Sequence, residues 1–314
     1  MKLKRPARAL AALALAAGSF SPALAGTQRL PTPVPATQVP VEQVETPRVL
    51  HPALWVAKDA DTTIYLFGTM HVLKPGLDWF NGPVERALDS SDELVTEIVD
   101  PTGTATQAAV LARATLPRGE TLRAMMGGED RAAYEALMAK IHLPPAALDQ
   151  YKPWYVAVVL SSLPLVQQGL DPKNGAEARL DSEMKDQGKP HDALETVDGQ
   201  LGMFDSLPRA AQLAYLAEVV KDYDKVVPQI DELLKAWGQG DAAELAKNMN
   251  DEMDDPRLMK TLLTDRNANW AKWIAHRMGQ PGTVFVAVGA GHLAGKGSVQ
   301  DQLKALGIAT ARVQ

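Results

Sequence analysis

Two short stretches at opposite ends of this 314-residue chain share one pattern. "TIYLFGTMH" ends at His71 and "TVFVAVGAGH" ends at His292, 221 positions later. Each is an apolar run that closes on Gly-x-x-His. Continuous apolar runs are typical of strands buried on both faces of a helix-covered sheet. The pattern therefore predicts that the two ends of the chain meet in one α/β sheet.

The histidines follow the predicted strands at the edge where open α/β sheets hold ligands. Gly68 and Gly289 begin the two motifs, and Gly291 is a second glycine in the C-terminal one. A glycine there lets the chain leave the strand sharply and come close to another group. The imidazoles of His71 and His292 are able to bind one metal ion or to act as acid and base. The alternative is that each histidine caps a turn.

Glu97 is the third candidate, because it lies in the apolar stretch "ELVTEIVD", which predicts a strand. A carboxylate buried without a partner is costly, so Glu97 needs a cation, a metal or hydrogen-bond donors. One carboxylate and two histidines form a donor set suited to a first-row divalent metal. The alternative is an internal salt bridge with Arg266.

Three further polar residues are candidates for substrate binding. Glu195 ends the short apolar run in "HDALETVDGQ", whereas His191 at its start is interpreted as an exposed loop residue. Arg266 and Asn267 lie in a helical pattern, "LLTDRNANWAKWIAHRMG", and the planar fork of an arginine suits a substrate carboxylate. For Glu195 the alternative is a helix cap, and for Arg266 it is an internal pair.

The fold class follows from where the strand patterns fall. They cluster near both chain ends, and helical periodicity dominates between them, with "HDALET" as a short strand candidate. We expect an α/β fold with a central mixed β-sheet formed by both chain ends, flanked by helices, with a largely helical middle insertion. This domain is expected to span residues 50–314.

The first 49 residues are expected to lie outside the domain. Residues 1–25 combine a basic start, an Ala/Leu run and a closing Ala-Leu-Ala, which is the pattern of a cleaved signal peptide. The alternative is a retained membrane anchor, but the apolar run is too short to span a bilayer. Residues 26–49 carry five prolines and predict an extended linker. The sequence thus predicts export to the periplasm or beyond.

Charge and cysteine content exclude several classes of function. The chain carries −6, and removal of the four positive residues of the signal region leaves −10. An acidic chain without a basic cluster is a poor candidate for nucleic-acid binding. The absence of cysteine excludes disulfides, thiol catalysis and a thiolate metal site. No later segment is long and apolar enough to span a membrane.

Several of these motifs together resemble one protein family. The stretches "LFGTMHVL", "ELVTEIVD", "DRNANWA" and "VAVGAGHLAGKGSVQDQLKALG" are similar to the TraB/GumN family of exported bacterial proteins, which is related to the animal Tiki proteins. The resemblance covers about residues 50–314. It implies an α/β fold shared with erythromycin esterase-like and ChaN-like proteins.

The resemblance also implies a function and a site. Tiki members are regarded as divalent-metal-dependent proteases, which implies a metal (Mn, Co or Zn) at His71, His292 and Glu97, with Glu97 as ligand or general base. Arg266 and Asn267 match a polar pair of the family. The expected function is metal-dependent hydrolysis, of a peptide bond. The alternatives are a non-catalytic binding protein for iron, haem or a small ligand, and an accessory protein of envelope polysaccharide assembly.

Overall fold

The computed structural model describes residues 49–101, 103–249 and 259–314. Its strands are β1 (Leu54–Lys58), β2 (Thr62–Thr69), β3 (Glu93–Thr96), β4 (His191–Ala193), β5 (Gly282–Gly289) and β6 (Ala311–Arg312). Its α-helices are α1 (Gly82–Asp89), α2 (Thr104–Ala114), α3 (Leu122–Met125), α4 (Gly128–Lys140), α5 (Pro153–Gln167), α6 (Ala176–Asp186), α7 (Val197–Asp205), α8 (Arg209–Asp222), α9 (Val226–Gly238), α10 (Ala242–Met249), α11 (Asp265–Arg277) and α12 (Val299–Ala305). The predicted signal peptide, and the predicted linker up to residue 48, lie outside the described residues.

The strands form one six-stranded mixed sheet in the order β4-β3-β5-β2-β1-β6. The first four strands in this order run parallel, and β1 and β6 add antiparallel pairs at the far edge. Five of the six strands come from the two chain ends, and only β4 comes from the helical middle. The expected α/β fold is confirmed.

The two look-alike apolar runs are β2 and β5, and they are neighbours at the centre of the sheet. They pair in parallel along their whole length, from Thr62 opposite Gly282 to Thr69 opposite Gly289. Leu66 and Val286 are essentially inaccessible to solvent, as expected for strands covered on both faces. The two Gly-x-x-His motifs therefore leave the sheet side by side, as the sequence predicted.

Helices cover both faces of this sheet. One face packs Phe67 and Phe285 against α1, α6 and α9, with Trp237 of α9 buried among them. The other face packs against α11 and α12, through Trp270 and other side chains. The helices of the middle region enclose a separate apolar core of their own. Within the described ranges, no helix combines the length and the apolar character needed to cross a bilayer.

Two local assignments differ from the sequence expectation. β3 ends at Thr96, so Glu97 is the first residue beyond the strand and not part of it. His191 begins β4 and pairs with Leu94 of β3, so it is not an exposed loop residue. Glu97 and His191 therefore both lie at this edge of the sheet, because β4 is the outer neighbour of β3.

Candidate active site

Four adjacent parallel strands end at one edge of the sheet, and a titratable residue follows each of them. His71 follows β2, Glu97 follows β3, Glu195 follows β4 and His292 follows β5. The carboxyl ends of parallel strands are where α/β proteins place ligands. The topology alone therefore gathers four of the six residues that the sequence analysis selected for catalysis, metal binding or substrate binding.

Arg266, in the first turn of α11, lies at the centre of this group. Its Nη2 donates to Glu97 Oε2 at 2.5 Å, while its Nε and Nη2 donate to the two oxygens of Glu195 at 2.8 and 2.9 Å. Arg266 and Glu97 are both 7% exposed at the side chain. A planar guanidinium suits two carboxylates in this way because its donors form a rigid fork.

The remaining donors of Arg266 are also used. Nη1 donates to the carbonyl of Leu262 at 3.3 Å and to His292 Nε2 at 3.1 Å, so all five N–H groups have acceptors. The guanidinium also lies 4.7 Å from the ring centre of Trp270, whose Nε1 donates to Glu195 Oε1 at 2.9 Å. Arg266 thus has no donor left for a substrate, and the ion pair that the sequence analysis gave as its alternative is present.

His292 is held neutral by its partners. Because an arginine only donates, His292 Nε2 is the acceptor, and Nδ1 carries the proton and donates to Asn267 Oδ1 at 2.6 Å. Asn267 is fixed in turn by donating to the carbonyl of Gly297 at 2.9 Å. Burial and the nearby Arg266 charge lower the pKa of His292 to about 3.

Glu97 is held in the ionised form. Burial opposes its charge, but Arg266, the two histidines and the N–H of Gly289 together outweigh burial and hold the pKa of Glu97 well below its usual range. The backbone N–H of Gly289 donates to Oε1 at 2.8 Å, and Gln200 Nε2 donates to Oε2 at 3.0 Å. A carboxylate that already accepts three bonds and has such a low pKa is a weak base.

His71 lies in a different environment from His292. Its Nδ1 is 2.5 Å from Glu177 Oε1, and the hydroxyl of Thr69 donates to the same oxygen. Burial disfavours the charged imidazole, but the charge and hydrogen bond of Glu177, together with the charge of Glu97, outweigh burial, so the pKa of His71 is raised. Within the described residues, Nε2 of His71 makes no hydrogen bond.

Glu177 is positioned by the backbone of the β2 motif. The N–H of Ala176 donates to the carbonyl of Met70 at 3.0 Å, which ties the start of α6 to the loop after β2. The cap residue Gly175 passes so close that a methyl group there would lie 2.2 Å from the carbonyl oxygen of His71. Glu177 is in the first turn of α6, where a negative charge is favoured.

A cavity of about 260 Å³ opens beside these groups. His71, Glu97, Glu177 and Gln200 line one part of it. A methyl group built on Gly289 would lie 3.2 Å from both His71 Nε2 and Glu97 Oε1, so these two atoms are at most twice that distance apart. The missing side chain of Gly289 leaves room for a small group between a base and a carboxylate.

A second histidine lines the same cavity. The hydroxyl oxygen of Thr96 lies 2.9 Å from the carbonyl of Ile98 and 2.7 Å from His191 Nε2. Nδ1 of His191 is 2.7 Å from Asp181 Oδ1. Lys173 lies on the exposed rim of the cavity. With both nitrogens engaged, His191 orders the wall of the cavity rather than offering a free lone pair.

Comparison with known proteins identifies the family of this chain. Residues 53–312 match the sequence model of the TraB/PrgY/gumN family. The chain belongs to this family. Its relatives include uncharacterized protein YbaP of Escherichia coli (strain K12) and the protein of the same name in Shigella flexneri, each 24% identical over 258 residues, or 81% of this chain and 92% of the relative. No solved structure matches the chain significantly.

In this TraB/PrgY/gumN chain, the sequence-selected residues divide into two groups. His71 and Glu97 line the cavity, whereas Arg266, Asn267 and His292 lie behind it, buried and bonded to one another. The roles that the sequence analysis gave them stay predictions. Gly68 and Gly289 do approach other groups closely, because a methyl on Gly68 would lie 3.1 Å from Ala290 Cα. Gly291 is buried in the short 3₁₀ turn that carries His292.

Two cavity residues were missed by the sequence analysis. Glu177 stands in "AEARLDSEMKD", an ordinary amphipathic helix with several acids, and only its first-turn position after Gly175 marks it. Gln200 lies five residues beyond Glu195, in the second turn of α7. Neither had a signal strong enough in the sequence, since each is defined by a partner far away in the chain.

The metal site that the TraB/GumN resemblance implies is testable against these distances. A metal shared by Glu97 and His292 needs the Nε2 lone pair of His292, but this lone pair accepts from Arg266. Among the described residues, no three His, Asp or Glu side chains are arranged to hold a metal ion. As placed, His71, Glu97 and His292 do not fit one shared metal, and metal dependence stays a prediction.

Proposed function

We propose that this chain is a hydrolase in which His71 is the general base. The observation that carries the proposal is the His71–Glu177 pair. Nδ1 of His71 lies 2.5 Å from Glu177 Oε1, whereas Nε2 makes no hydrogen bond and lies beside the cavity. A carboxylate behind an imidazole fixes its tautomer and stabilises the imidazolium that forms on proton transfer. Proton transfer by such a positioned base contributes typically about 10²–10⁴-fold to a rate.

Water is the proposed nucleophile. The chain has no cysteine. The hydroxyl that lines the cavity belongs to Thr96, and it is already hydrogen-bonded to the Ile98 carbonyl and to His191. A water beside Gly289 would be within reach of His71 Nε2 and Glu97 Oε1. His71 takes a proton from this water as its oxygen bonds to the acyl carbon. The imidazolium then returns the proton to the leaving nitrogen or oxygen as the bond to the acyl carbon breaks.

Glu97 has a positioning role in this scheme. It accepts from Arg266, Gly289 and Gln200, so its lone pairs are largely used and its low pKa makes it a poor proton acceptor. Its negative charge lies close to His71 and favours the imidazolium. Glu97 was predicted to be a metal ligand or the general base, and the geometry favours His71 as the base instead.

The proposed substrate is an acyl compound, and a peptide is the first to be tested. The TraB/GumN resemblance supports a peptide, through its Tiki members. The proposal includes export, which rests on the signal-peptide pattern of residues 1–25. N-terminal sequencing of protein from an exporting host is expected to give Gly26, and a retained Met1 would contradict export with cleavage.

The test is a cleavage assay on the exported, tag-free chain with a peptide library and chromogenic esters. His71→Ala is expected to lower the rate by about 10²–10⁴-fold. The matched control is His276→Ala, an exposed histidine of α11, which is expected to retain full activity. Parallel reactions with EDTA and with Mn, Co or Zn test metal dependence separately. Full activity of the His71 variant would rule the mechanism out.

A non-catalytic binding protein is the second candidate. The observation in its favour is that Arg266 and His292 have no free hydrogen-bonding group. One of the two motif histidines therefore has a structural role. Native mass spectrometry of the purified chain tests this. A bound small molecule, iron or haem together with no hydrolysis of any substrate would favour binding.

A further inference from the structure

We infer that Arg266 is the resident cation of this site, that the native chain binds no metal between Glu97, Glu195 and His292, and that removing the guanidinium opens a metal site there. The inference rests on the ion-pair geometry and not on His71 as a base. Its readout is metal binding, so it holds or fails even if no substrate is hydrolysed.

The buried cluster of Glu97, Glu195 and Arg266 contains two negative charges and one positive charge. Glu97 and Glu195 both point at Arg266 from strand ends that lie next to each other, and their side chains are 7% and 16% exposed. Two carboxylates brought together with so little solvent require a cation, because an unpaired buried charge is very costly. Arg266 supplies that cation with three charge-assisted bonds.

The groups that surround the guanidinium are also suitable metal ligands. The acceptors around the guanidinium include two carboxylates and the Nε2 lone pair of His292, which lies 3.1 Å from Nη1. Carboxylate oxygen and neutral imidazole nitrogen are the ligands that zinc and similar metals take, at about 2.0–2.2 Å. His292 already has the correct tautomer, with Nδ1 fixed by Asn267 at 2.6 Å. This outer bond is typical of histidines that bind metals.

The guanidinium fills the space between Glu97, Glu195 and His292. The acceptors lie 2.5 to 3.1 Å from the guanidinium nitrogens, so they surround a cation wider than a metal ion. While Arg266 is present, its guanidinium lies between the three donors and uses the Nε2 lone pair of His292. With a shorter side chain, small rotations of Glu97 and Glu195 bring three donors to one centre, and water completes the coordination.

The test compares the native chain with Arg266→Ala and a matched control, Arg277→Ala. Arg277 is on the same helix and pairs with one carboxylate, Glu93, at 2.9 Å. After removal of metals with EDTA, each protein is titrated with Co²⁺ and followed by visible absorption and calorimetry. We expect no saturable site in the native chain or in the control, and about one cobalt per chain in Arg266→Ala, as in a three-ligand site. Adding His292→Ala to that variant is expected to weaken binding by about tenfold or more.

Thermal melts provide a second readout. Cobalt is expected to raise the Tm of Arg266→Ala and to leave the native Tm unchanged, because a ligand that binds only the folded state stabilises it. If Arg266→Ala folds only when cobalt is present, the inference is supported as well. A native chain that binds one cobalt through His292 would overturn it, and so would a folded Arg266→Ala that binds none. If no variant folds, the native titration still decides whether the native chain binds a metal between these residues.

Discussion

His71 and His292 have the same motif but opposite chemistry. Glu177 raises the pKa of His71 and leaves Nε2 beside the cavity, whereas burial and Arg266 lower the pKa of His292 to about 3 and both its nitrogens are bonded. The difference comes from neighbours that are distant in the sequence. A repeated motif therefore marks two equivalent positions on the sheet and does not give them equal roles.

Replacing Glu177 tests the pair that carries the proposed mechanism. A general base works in its unprotonated form, so activity falls as the pH drops through the raised pKa of His71. Glu177→Gln removes the charge that raises this pKa, so the acid limb of kcat/KM is expected to move to lower pH, while the maximal rate falls. The control is Glu183→Gln, which affects a surface pair with Arg179 on the same helix. An unchanged acid limb would show that Glu177 does not act on the base.

Gly289→Ala tests the space between His71 and Glu97. The backbone at Gly289 is compatible with alanine, since φ is −48° and ψ is 133°. The new methyl would lie 3.2 Å from His71 Nε2 and Glu97 Oε1, where the water is proposed to sit. We expect a loss of activity of roughly 10²-fold, comparable to a misplaced reacting group, with a Tm shift of only a few degrees.

The comparison for this variant is Gly128→Ala. Gly128 begins α4, and a methyl there meets nothing within 4 Å. Its activity is expected to equal that of the native chain. If Gly289→Ala also keeps native kcat/KM, the gap beside Gly289 holds no reacting group.

At the scale of elements, the cap of α6 joins the β2 motif to its carboxylate. Gly175 and Gly127 are both N-cap glycines, at α6 and α4, with φ of −58° and −65°. Gly175→Ala is expected to destabilise the fold by about 1–3 kcal/mol, because its methyl would lie 2.2 Å from the carbonyl oxygen of His71. Activity is expected to fall as well, since the start of α6 carries Glu177.

Gly127→Ala is the matched control, because a methyl there meets nothing within 4 Å. Urea unfolding and kcat/KM are measured on both variants. Equal stability of the two would mean that the approach of α6 to His71 is loose and that the cap does not position Glu177.

The sequence predicted the elements whose signal is local. β2 and β5 were found because burial on both faces requires an unbroken apolar run, and their adjacency followed from the shared motif. The Glu97–Arg266 pair was foreseen as an alternative, because a carboxylate in an apolar stretch needs a cation. Glu177 was not found, because nothing in an acidic helix indicates which acid faces a histidine. The short strand β4 was predicted in "HDALET", but His191 was misassigned to an exposed loop because it follows Lys189-Pro190.

At the scale of the whole molecule, the two motif histidines predict a stability maximum near their unperturbed pKa of 6.5. The pKa of His292 is lowered to about 3, so the unfolded chain binds the extra proton below pH 6.5 and stability falls there. The pKa of His71 is raised, so its stabilising effect is complete below 6.5 and is lost as the pH rises through the folded value. The effect of His292 is up to about 2 kcal/mol between pH 6.5 and 5, at 1.36 kcal/mol per pH unit.

Urea midpoints between pH 5 and 9 measure this dependence. His292→Gln is expected to flatten the acid side and His71→Gln the alkaline side, each by removing one titrating group. His276→Gln, an exposed position, is expected to change neither slope. If the stability of His292→Gln still falls below pH 6.5 as in the native chain, other groups cause this fall.

The central strand pair also decides when in its synthesis the molecule is able to fold. β5 lies between β2 and β3, yet Thr62 finds its partner only in Gly282, 220 residues further along the chain. Closing so long a loop has a large entropic cost and is slow, as in other folds with distant contacts. A nascent chain that has not yet emerged past Gly289 therefore leaves the inner edges of β2 and β3 unpaired, and such edges pair readily with other chains. The central sheet is therefore expected to form only after β5 has been synthesised, and a chain that stops before β5 is expected to aggregate rather than to form a smaller working domain.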